Sequence, residues 1–107
     1  MPLAVAKLPS LVVTTSGVSN AVGILDDAYG LTLYATTTFT STAVSVEVEA
    51  TDTGTSFVTL QSGGSNVVIS SGTATVISPV PFRQLRLATN TNEDSAKTVL
   101  LTKAVLV

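Results

Sequence analysis

Residues 53–82 have the sequence TGTSFVTLQSGGSNVVISSGTATVISPVPF, which contains no Asp, Glu, Lys or Arg. Ser, Thr, Gly and Asn interrupt the apolar residues so often that this stretch cannot form a membrane-spanning helix. Short β-branched runs separated by small polar residues are typical of strands and turns. Soluble domains usually carry about a quarter charged residues, whereas this chain carries 11% and has a mean hydropathy of +0.53. Much of the surface must therefore be uncharged, which predicts an aggregation hazard or a surface that neighbouring proteins cover.

The composition limits the chemistry that this chain can perform. A chain of 107 residues has room for one domain that buries roughly 65% of its unfolded surface. The absence of Cys excludes disulfides, thiolate metal sites and cysteine nucleophiles. The absence of His removes the most common general base near neutral pH. A formal charge of −2 and five scattered basic residues predict no direct contact with nucleic acid.

The N-terminal residues 1–10 are apolar but do not match a secretion signal. Lys7 lies inside the apolar run and Pro9 follows two residues later, whereas a secretory signal places its basic residues before an unbroken apolar segment. We predict an extended arm at residues 1–10 that leads into a single β domain at residues 11–107. A disordered tail is the alternative, because chain termini are often loose unless they are tied down.

Alternation of apolar and polar residues predicts strands along the chain, and no sustained helical period is present. The clearest strand is AVSVEVE at 43–49, in which three valines alternate with Ser45, Glu47 and Glu49. The run LTLYATTTF at 31–39 is rich in β-branched and aromatic residues, which suit a pleated sheet better than a helix. Because only a short link joins these two runs, we predict that they pair as a hairpin.

Turn residues divide the second half of the chain into further strands. Gly63-Gly64 lies between two β-branched runs, which predicts a hairpin with a tight turn. Pro79 and Pro81 cannot donate ladder hydrogen bonds and separate the next strand, in which Arg86 faces outward between two inward-facing leucines. A last strand is predicted at residues 97–107, buried on both faces near its end. We expect an all-β fold of about seven to nine short antiparallel strands, as a single sandwich, a jelly-roll-like domain or a small barrel.

Asp52-Thr53-Gly54 matches the tripeptide of retroviral-type aspartic proteases, in which two Asp residues of a dimer share a proton. That family also has an apolar run before the Asp and a second apolar segment ending in Gly-Arg. Here EVEAT precedes Asp52, and Arg83 and Arg86 follow no Gly. A turn, in which Asp bonds locally and Gly supplies a positive φ, is the favoured interpretation. We predict that the protein is not an enzyme.

Other carboxylates could hold a metal or act as a catalytic pair. Asp26-Asp27 and Asn92-Glu93-Asp94 offer oxygen ligands for calcium, but they lack the alternating acidic residues and central Gly of a calcium loop. Solvated turns are favoured for both. Glu47 and Glu49 share a strand face at about 7 Å, as a glycosidase pair could, but the solvent-exposed side of an amphipathic strand is favoured. No metal, no cofactor and no catalytic residue are predicted.

Sugar binding is an alternative function of a different class. Sugars stack on exposed aromatic rings, and in the absence of Trp the candidates are Tyr29 and Tyr34. A small carbohydrate-binding or adhesion sandwich of a phage or cell surface would use such a platform.

The second half of the chain resembles small virion proteins of tailed bacteriophages, in particular capsid decoration or cement proteins and related β-domain accessory proteins. The resemblance rests on the succession of FVTLQSGG at 57–64, a second strand, PFRQLRL at 81–87 and a terminal strand, within a Ser/Thr/Val-rich, Cys-free and weakly charged chain. It implies a non-enzymatic structural role at the capsid surface. The implied partner is the major capsid protein or another virion protein, with many copies or a homo-oligomer on each particle and no membrane contact.

Contacts with that partner are predicted at the N-terminal arm, through Leu3, Val5, Lys7 and Leu8, and at Arg86. The apolar arm and the charge-free tract agree with this, because the buried cores of protein interfaces are depleted in charged residues.

Overall fold

The computed structural model describes residues 2–24 and 27–106. These residues form eleven strands and no helix, which confirms the predicted all-β class. The strands are β1 Leu3–Val13, β2 Val22–Gly23, β3 Ala28–Ala35, β4 Val44–Glu49, β5 Val58–Thr59, β6 Gln61–Ser62, β7 Ser65–Asn66, β8 Val68–Ile69, β9 Thr73–Ile77, β10 Gln84–Thr89 and β11 Lys97–Leu106. The number exceeds the predicted seven to nine because β2, β5, β6, β7 and β8 have only two residues each.

Two antiparallel sheets of described residues face each other, as in a β-sandwich. The first sheet contains four strands in the order β1-β11-β3-β9. The second contains β2-β10-β4-β5, with β8 also paired to β4. β6 and β7 form a separate two-stranded hairpin.

The core lies between the two sheets and is built from their inward-facing side chains. Leu31 and Leu33 of the first sheet and Leu85 and Leu87 of the second are fully buried. The three valines of β4 are buried as well, as their alternation predicts. Because burying a Leu side chain contributes about 1.5–3 kcal/mol, this layer is the main source of stability.

The predicted hairpin between residues 31–39 and 43–49 is wrong. β3 pairs with β11 and β9 in the first sheet, whereas β4 pairs with β10, β5 and β8 in the second. The link between β3 and β4 therefore crosses from one sheet to the other. Strand periodicity shows which face of a strand is buried, but it does not show which strand is the neighbour.

The hairpin predicted around Gly63-Gly64 is confirmed. Both glycines have a positive φ, 62° and 83°, which suits a two-residue type I′ turn between β6 and β7. β5 and β8 on either side of this hairpin both pair with β4. They form one edge strand of the second sheet, which the β6–β7 hairpin interrupts.

β1 makes the N-terminal segment part of the first sheet. It pairs with β11 from Leu3 to Val13, with a register shift between Leu8 and Leu11 that marks a bulge. The predicted boundary between an arm and a domain at residue 10 lies inside this strand. The segment is extended and forms an outer strand of the sheet.

Candidate protein-binding surface

The outer face of the first sheet, which is turned away from the core, is largely apolar. Residues directly opposite each other on antiparallel strands place their side chains on the same face. Leu100 lies opposite Tyr34 in this way. Among the described residues, ten large apolar side chains are exposed. Six of them lie on this outer face: Leu3 and Val5 of β1, Tyr34 of β3, Val76 of β9, and Leu100 and Leu106 of β11.

Charge is almost absent from the outer face. Lys7 is the one charged side chain that the described strands place on it. The remaining positions between the apolar side chains hold small residues such as Thr32, Thr102 and Ala104. An antiparallel sheet that packs one face on a core usually presents polar side chains on the other. The outer face departs from this pattern, and exposed apolar patches of this kind occur at interaction sites, at ligand-binding grooves and on aggregation-prone surfaces.

A shallow groove crosses the outer face between β1 and β3. Its volume is about 380 Å³, and its lining includes Val5, Lys7, Tyr34, Leu100 and Thr102. An aromatic ring and two aliphatic side chains thus lie beside one ammonium group. Such a lining suits an apolar side chain of another protein, with a polar contact at the rim.

Three of the five predicted contact residues lie together on the outer face. Leu3, Val5 and Lys7 are exposed there, because odd-numbered residues of β1 before the bulge point outward. Leu8 points the other way and packs against the core. It is therefore not placed to contact a partner at this face.

Arg86, the fifth predicted contact, lies on the second sheet and is half-buried. Its Nε donates a hydrogen bond to Glu47 Oε1 at 2.7 Å, in an ion pair between β10 and β4. Its guanidinium also lies over the ring of Phe57, 4.2 Å from the ring centroid, which is a cation–π contact. These contacts hold the guanidinium within the protein.

Sequence reasoning missed Leu100, Leu106 and Val76 as surface residues. The prediction that the last strand is buried on both faces is wrong for β11, because Leu100 and Leu106 are exposed. The sequence signal for an exposed apolar face was that apolar residues occupy both odd-numbered and even-numbered positions of residues 99–107. That pattern indicates either a doubly buried strand or a strand with an apolar outer face.

Asp52 is exposed in a bend, as the turn interpretation predicts. Gly54 has a φ of 75°, in the left-handed region that favours glycine, which confirms its predicted role.

Glu49 is buried, which corrects the prediction that Glu47 and Glu49 form a solvent face. Its side chain is 2% exposed, and its carboxylate accepts hydrogen bonds from the amides of Gly54 at 2.8 Å and of Thr55 and Ser56 at 2.7 Å. The Ser56 amide contributes most to lowering the pKa of Glu49, and together these donors outweigh the opposing effect of burial. A carboxylate held by backbone donors fixes the 50–57 loop and is a poor catalytic base.

Glu93 is the second buried carboxylate, and it corrects the prediction of a solvated turn at residues 92–94. It is 4% exposed and accepts hydrogen bonds from the amides of Thr40 at 2.8 Å and Ser41 at 2.9 Å, and from the Ser41 hydroxyl. Burial opposes ionisation, but these donors outweigh it and the pKa of Glu93 is lowered. Asp94 is exposed, and a hydrogen bond from Lys97 at 2.7 Å is the main cause that lowers its pKa to about 2.

The calcium candidate Asp26-Asp27 is only partly described. Asp26 lies outside the described residues, and Asp27 pairs with Lys103 at 2.8 Å. In the described ranges 2–24 and 27–106, no group of three or more acidic, His or Cys side chains could hold a metal ion. The same ranges contain no helix long and apolar enough to cross a membrane.

The two tyrosines considered for sugar binding are both exposed. Tyr29 and Tyr34 are five positions apart on β3, about 17 Å at the rise of a strand. They are too far apart to stack on one sugar ring, so Tyr34 would have to act without Tyr29.

Comparison with protein-family models, with curated proteins and with solved structures found no match in any of the three.

Proposed function

We propose that this protein is a non-enzymatic virion structural protein, a capsid decoration protein that docks on the phage shell through the outer face of its first sheet. The apolar outer face is the observation that carries the proposal. It groups six exposed apolar side chains around one charged residue, Lys7, within the described strands. Removing apolar surface from water is favourable by about 25 cal/mol per Å², so contact with another protein stabilises this face.

The outer face is also rigid, which favours tight docking. Its central strands β11 and β3 are paired on both sides within the sheet, and the opposite face of the same sheet packs on the core. A preformed surface loses little conformational freedom when it binds. Tyr34 and Leu100, directly opposite each other at the groove, are the expected anchors, because buried aromatic side chains dominate many interfaces.

The proposed partner is the major capsid protein or another virion protein. This choice comes from the resemblance of the second half of the chain to phage decoration proteins. Such a protein needs no reaction and no cofactor, since it acts by mass action. A protein that binds only the assembled shell stabilises it by about 2.7 kcal/mol per site at a free concentration one hundred times the dissociation constant.

Particles assembled with and without this protein provide the test. We expect the protein to co-purify with the particles in many copies and to raise both their heat resistance and their retention of packaged DNA. Failure to bind particles whose shell is complete would contradict the proposal.

A carbohydrate-binding or adhesion domain is the second candidate, and the exposed ring of Tyr34 is the observation that favours it. Two variants separate the candidates. Docking of the outer face on protein should be weakened by both Tyr34→Ala and Leu100→Ala. Sugar stacking should be lost in Tyr34→Ala and retained in Leu100→Ala. The adhesion function would be favoured if the protein binds a glycan array specifically, if this binding is lost only in Tyr34→Ala, and if the protein does not bind particles.

A further inference from the structure

β1 is an outer strand of the first sheet, and half of its open edge is capped. β11 is the one named strand that pairs with it, and an isolated bridge joins Val13 to Ser19 on its other side. On the other side, the amide of Val12 donates to Asn20 Oδ1 at 2.8 Å, and Asn20 Nδ2 donates to the carbonyl of Ser10 at 3.1 Å. The Asn20 side chain therefore takes the place of a neighbouring strand at residues 10–12.

The other half of this edge, residues 3–7, has no such cap among the described residues. Backbone groups of successive residues point to alternate sides of an antiparallel strand. Because Val12 bonds away from β11, the neighbouring pairs Leu11–Val99 and Val13–Lys97 are the hydrogen-bonded ones. By the same alternation, the backbone groups of Leu101 and of the odd-numbered residues after it point toward β1. Their hydrogen-bonded partners there are Leu8, Ala6 and Ala4. The N–H and C=O groups of residues 3, 5 and 7 consequently face the open edge.

We infer that two copies of this chain pair through these edges, with the β1 strands antiparallel and centred on Val5. Val5 then lies opposite Val5 of the second copy, and Leu3 lies opposite Lys7. These three residue pairs each exchange two hydrogen bonds. The two first sheets become one continuous sheet of eight strands. The inference goes beyond the proposed function, because the pairing takes place between copies in solution and requires no shell.

Charge and proline disfavour a register centred on Lys7. Pairing centred on Lys7 would place two ammonium groups directly opposite each other, which is unfavourable. It would also bring Pro9, which has no N–H, into the ladder. In the register centred on Val5 the two Lys7 side chains are about 13 Å apart along the strands. Each Lys7 stem can then cover the exposed Leu3 of the other copy.

A second copy is the occupant that this edge fits best. A two-fold axis at Val5 places every outward-facing N–H and C=O group of residues 3, 5 and 7 opposite a partner group of the second copy, with no like charges opposite each other, as a self-complementary isologous contact requires. The pairing also joins the two outer faces into one apolar surface, so the same side of both copies remains open to the shell.

Single-cysteine cross-linking tests this geometry, because the chain contains no Cys of its own. In the proposed dimer the Cα atoms at position 5 of the two copies are about 5.5 Å apart, which is within disulfide range. The Cα atoms at position 3 of the two copies are about 13 Å apart along the strands, which is outside disulfide range. We expect Val5→Cys to form a disulfide-linked dimer under mild oxidation. Leu3→Cys and the exposed Val76→Cys are the matched controls, and both should remain monomeric on a non-reducing gel.

Sedimentation of the cysteine-free protein provides an independent measurement. We expect a concentration-dependent species of twice the 10.9 kDa monomer mass. Val5→Pro, which removes the outward N–H without breaking a bond to β11, should abolish that species while the circular dichroism spectrum is retained.

A monomer at all concentrations, with no cross-link in Val5→Cys, would overturn the inference even if the protein binds particles. Cross-linking of Val76→Cys in place of Val5→Cys would overturn it as well, because the outer faces would then pair with each other. Since cross-linking needs no proline variant, misfolding of Val5→Pro would leave the test intact.

Discussion

Glu49 and Glu93 hold loops to the strands from inside the protein. Each carboxylate accepts backbone amide hydrogen bonds from a distant or neighbouring loop, Glu49 from residues 54–56 and Glu93 from residues 40–41. Glu93 fixes the segment that crosses from the first sheet to the second. A charged acceptor is suited to this position because hydrogen bonds to ionised groups are stronger than neutral ones.

Glu93→Gln is expected to destabilise the protein more than Asp94→Asn. The Gln side chain has one oxygen in place of two, so its NH2 group would face either the Thr40 or the Ser41 amide and leave that donor unpaired in a buried site. Asp94 is exposed, so its charge is screened by solvent. The urea midpoint of unfolding should fall clearly in Glu93→Gln and little in Asp94→Asn. The two variants should have equal m-values. Equal midpoints would show that Glu93 does not hold the crossing segment.

Acid should weaken the fold through the same carboxylates. The pKa values of Glu49 and Glu93 are lowered from 4.5, and that of Asp94 is lowered from 3.8 to about 2. Groups whose pKa is depressed on folding stabilise the protein above their unfolded pKa, and that stability is lost as the pH falls through the folded pKa. The free energy of unfolding should therefore be nearly constant above about pH 5 and decline from there toward about pH 2. Urea titrations across this range would contradict the account if stability rose on acidification.

Two adjacent residues of β11 lie on opposite sides of the first sheet. Leu101 is 1% exposed and belongs to the core, whereas Leu100 is 41% exposed on the outer face. Leu101→Ala should cost about 2–5 kcal/mol of stability, as deletions in a packed core do. Leu100→Ala should stay within about 0.5 kcal/mol, the usual range for surface positions. Equal losses in denaturant unfolding would mean that the outer face is not exposed.

The β6–β7 hairpin depends on the left-handed conformation of its two glycines. Gly64 has a φ of 83°, and a Cβ there would meet no atom within 4 Å. Any cost of Gly64→Ala is therefore conformational, about 1–2 kcal/mol. Gly23 of β2 has equal space and no positive φ, so Gly23→Ala is the matched control and should not destabilise the protein. Thermal unfolding would contradict this account if both variants lost the same stability.

Local features of the fold could be predicted from the sequence, and long-range features could not. The buried valines of β4 and the turns at Gly54 and Gly63-Gly64 follow from periodicity and from the conformational freedom of glycine. The neighbours of β3 could not be predicted, because sheet pairing is set by packing between segments far apart in the chain. The roles of Glu49 and Glu93 were missed for the same reason, since Glu93 lies 53 residues from Thr40, whose amide it binds.

Two of the six apolar residues of the candidate surface, Leu3 and Val5, were predicted as contacts from the sequence. The apolar N-terminal run indicated a contact surface because the buried cores of interfaces are depleted in charged residues. Leu100 and Val76 were not found, because the outward face of a strand depends on which side of its sheet meets the other sheet. Arg86 was assigned to a partner because the sequence does not show that Glu47 and Phe57 lie beside it.

The molecule as a whole has two unlike outer surfaces. The first sheet presents the apolar outer face, whereas the second sheet carries the Arg86–Glu47 ion pair and the 50–57 loop that Glu49 holds. The second sheet also exposes Val58 and Val68, but fewer large apolar side chains than the first sheet. Under the proposed function, this asymmetry predicts a single orientation on the shell, with the first sheet toward the particle.

Two valines of similar exposure test the central claim, that the outer face of the first sheet is the docking surface. Val76 on that face is 70% exposed, and Val58 on β5 of the second sheet is 64% exposed. The measurement is the number of copies bound per particle for Val76→Lys and Val58→Lys under the same conditions. We predict a loss of about tenfold or more in affinity for Val76→Lys, the equivalent of about 1.4 kcal/mol, and occupancy equal to wild type for Val58→Lys. Wild-type occupancy of Val76→Lys, or loss confined to Val58→Lys, would contradict the claim.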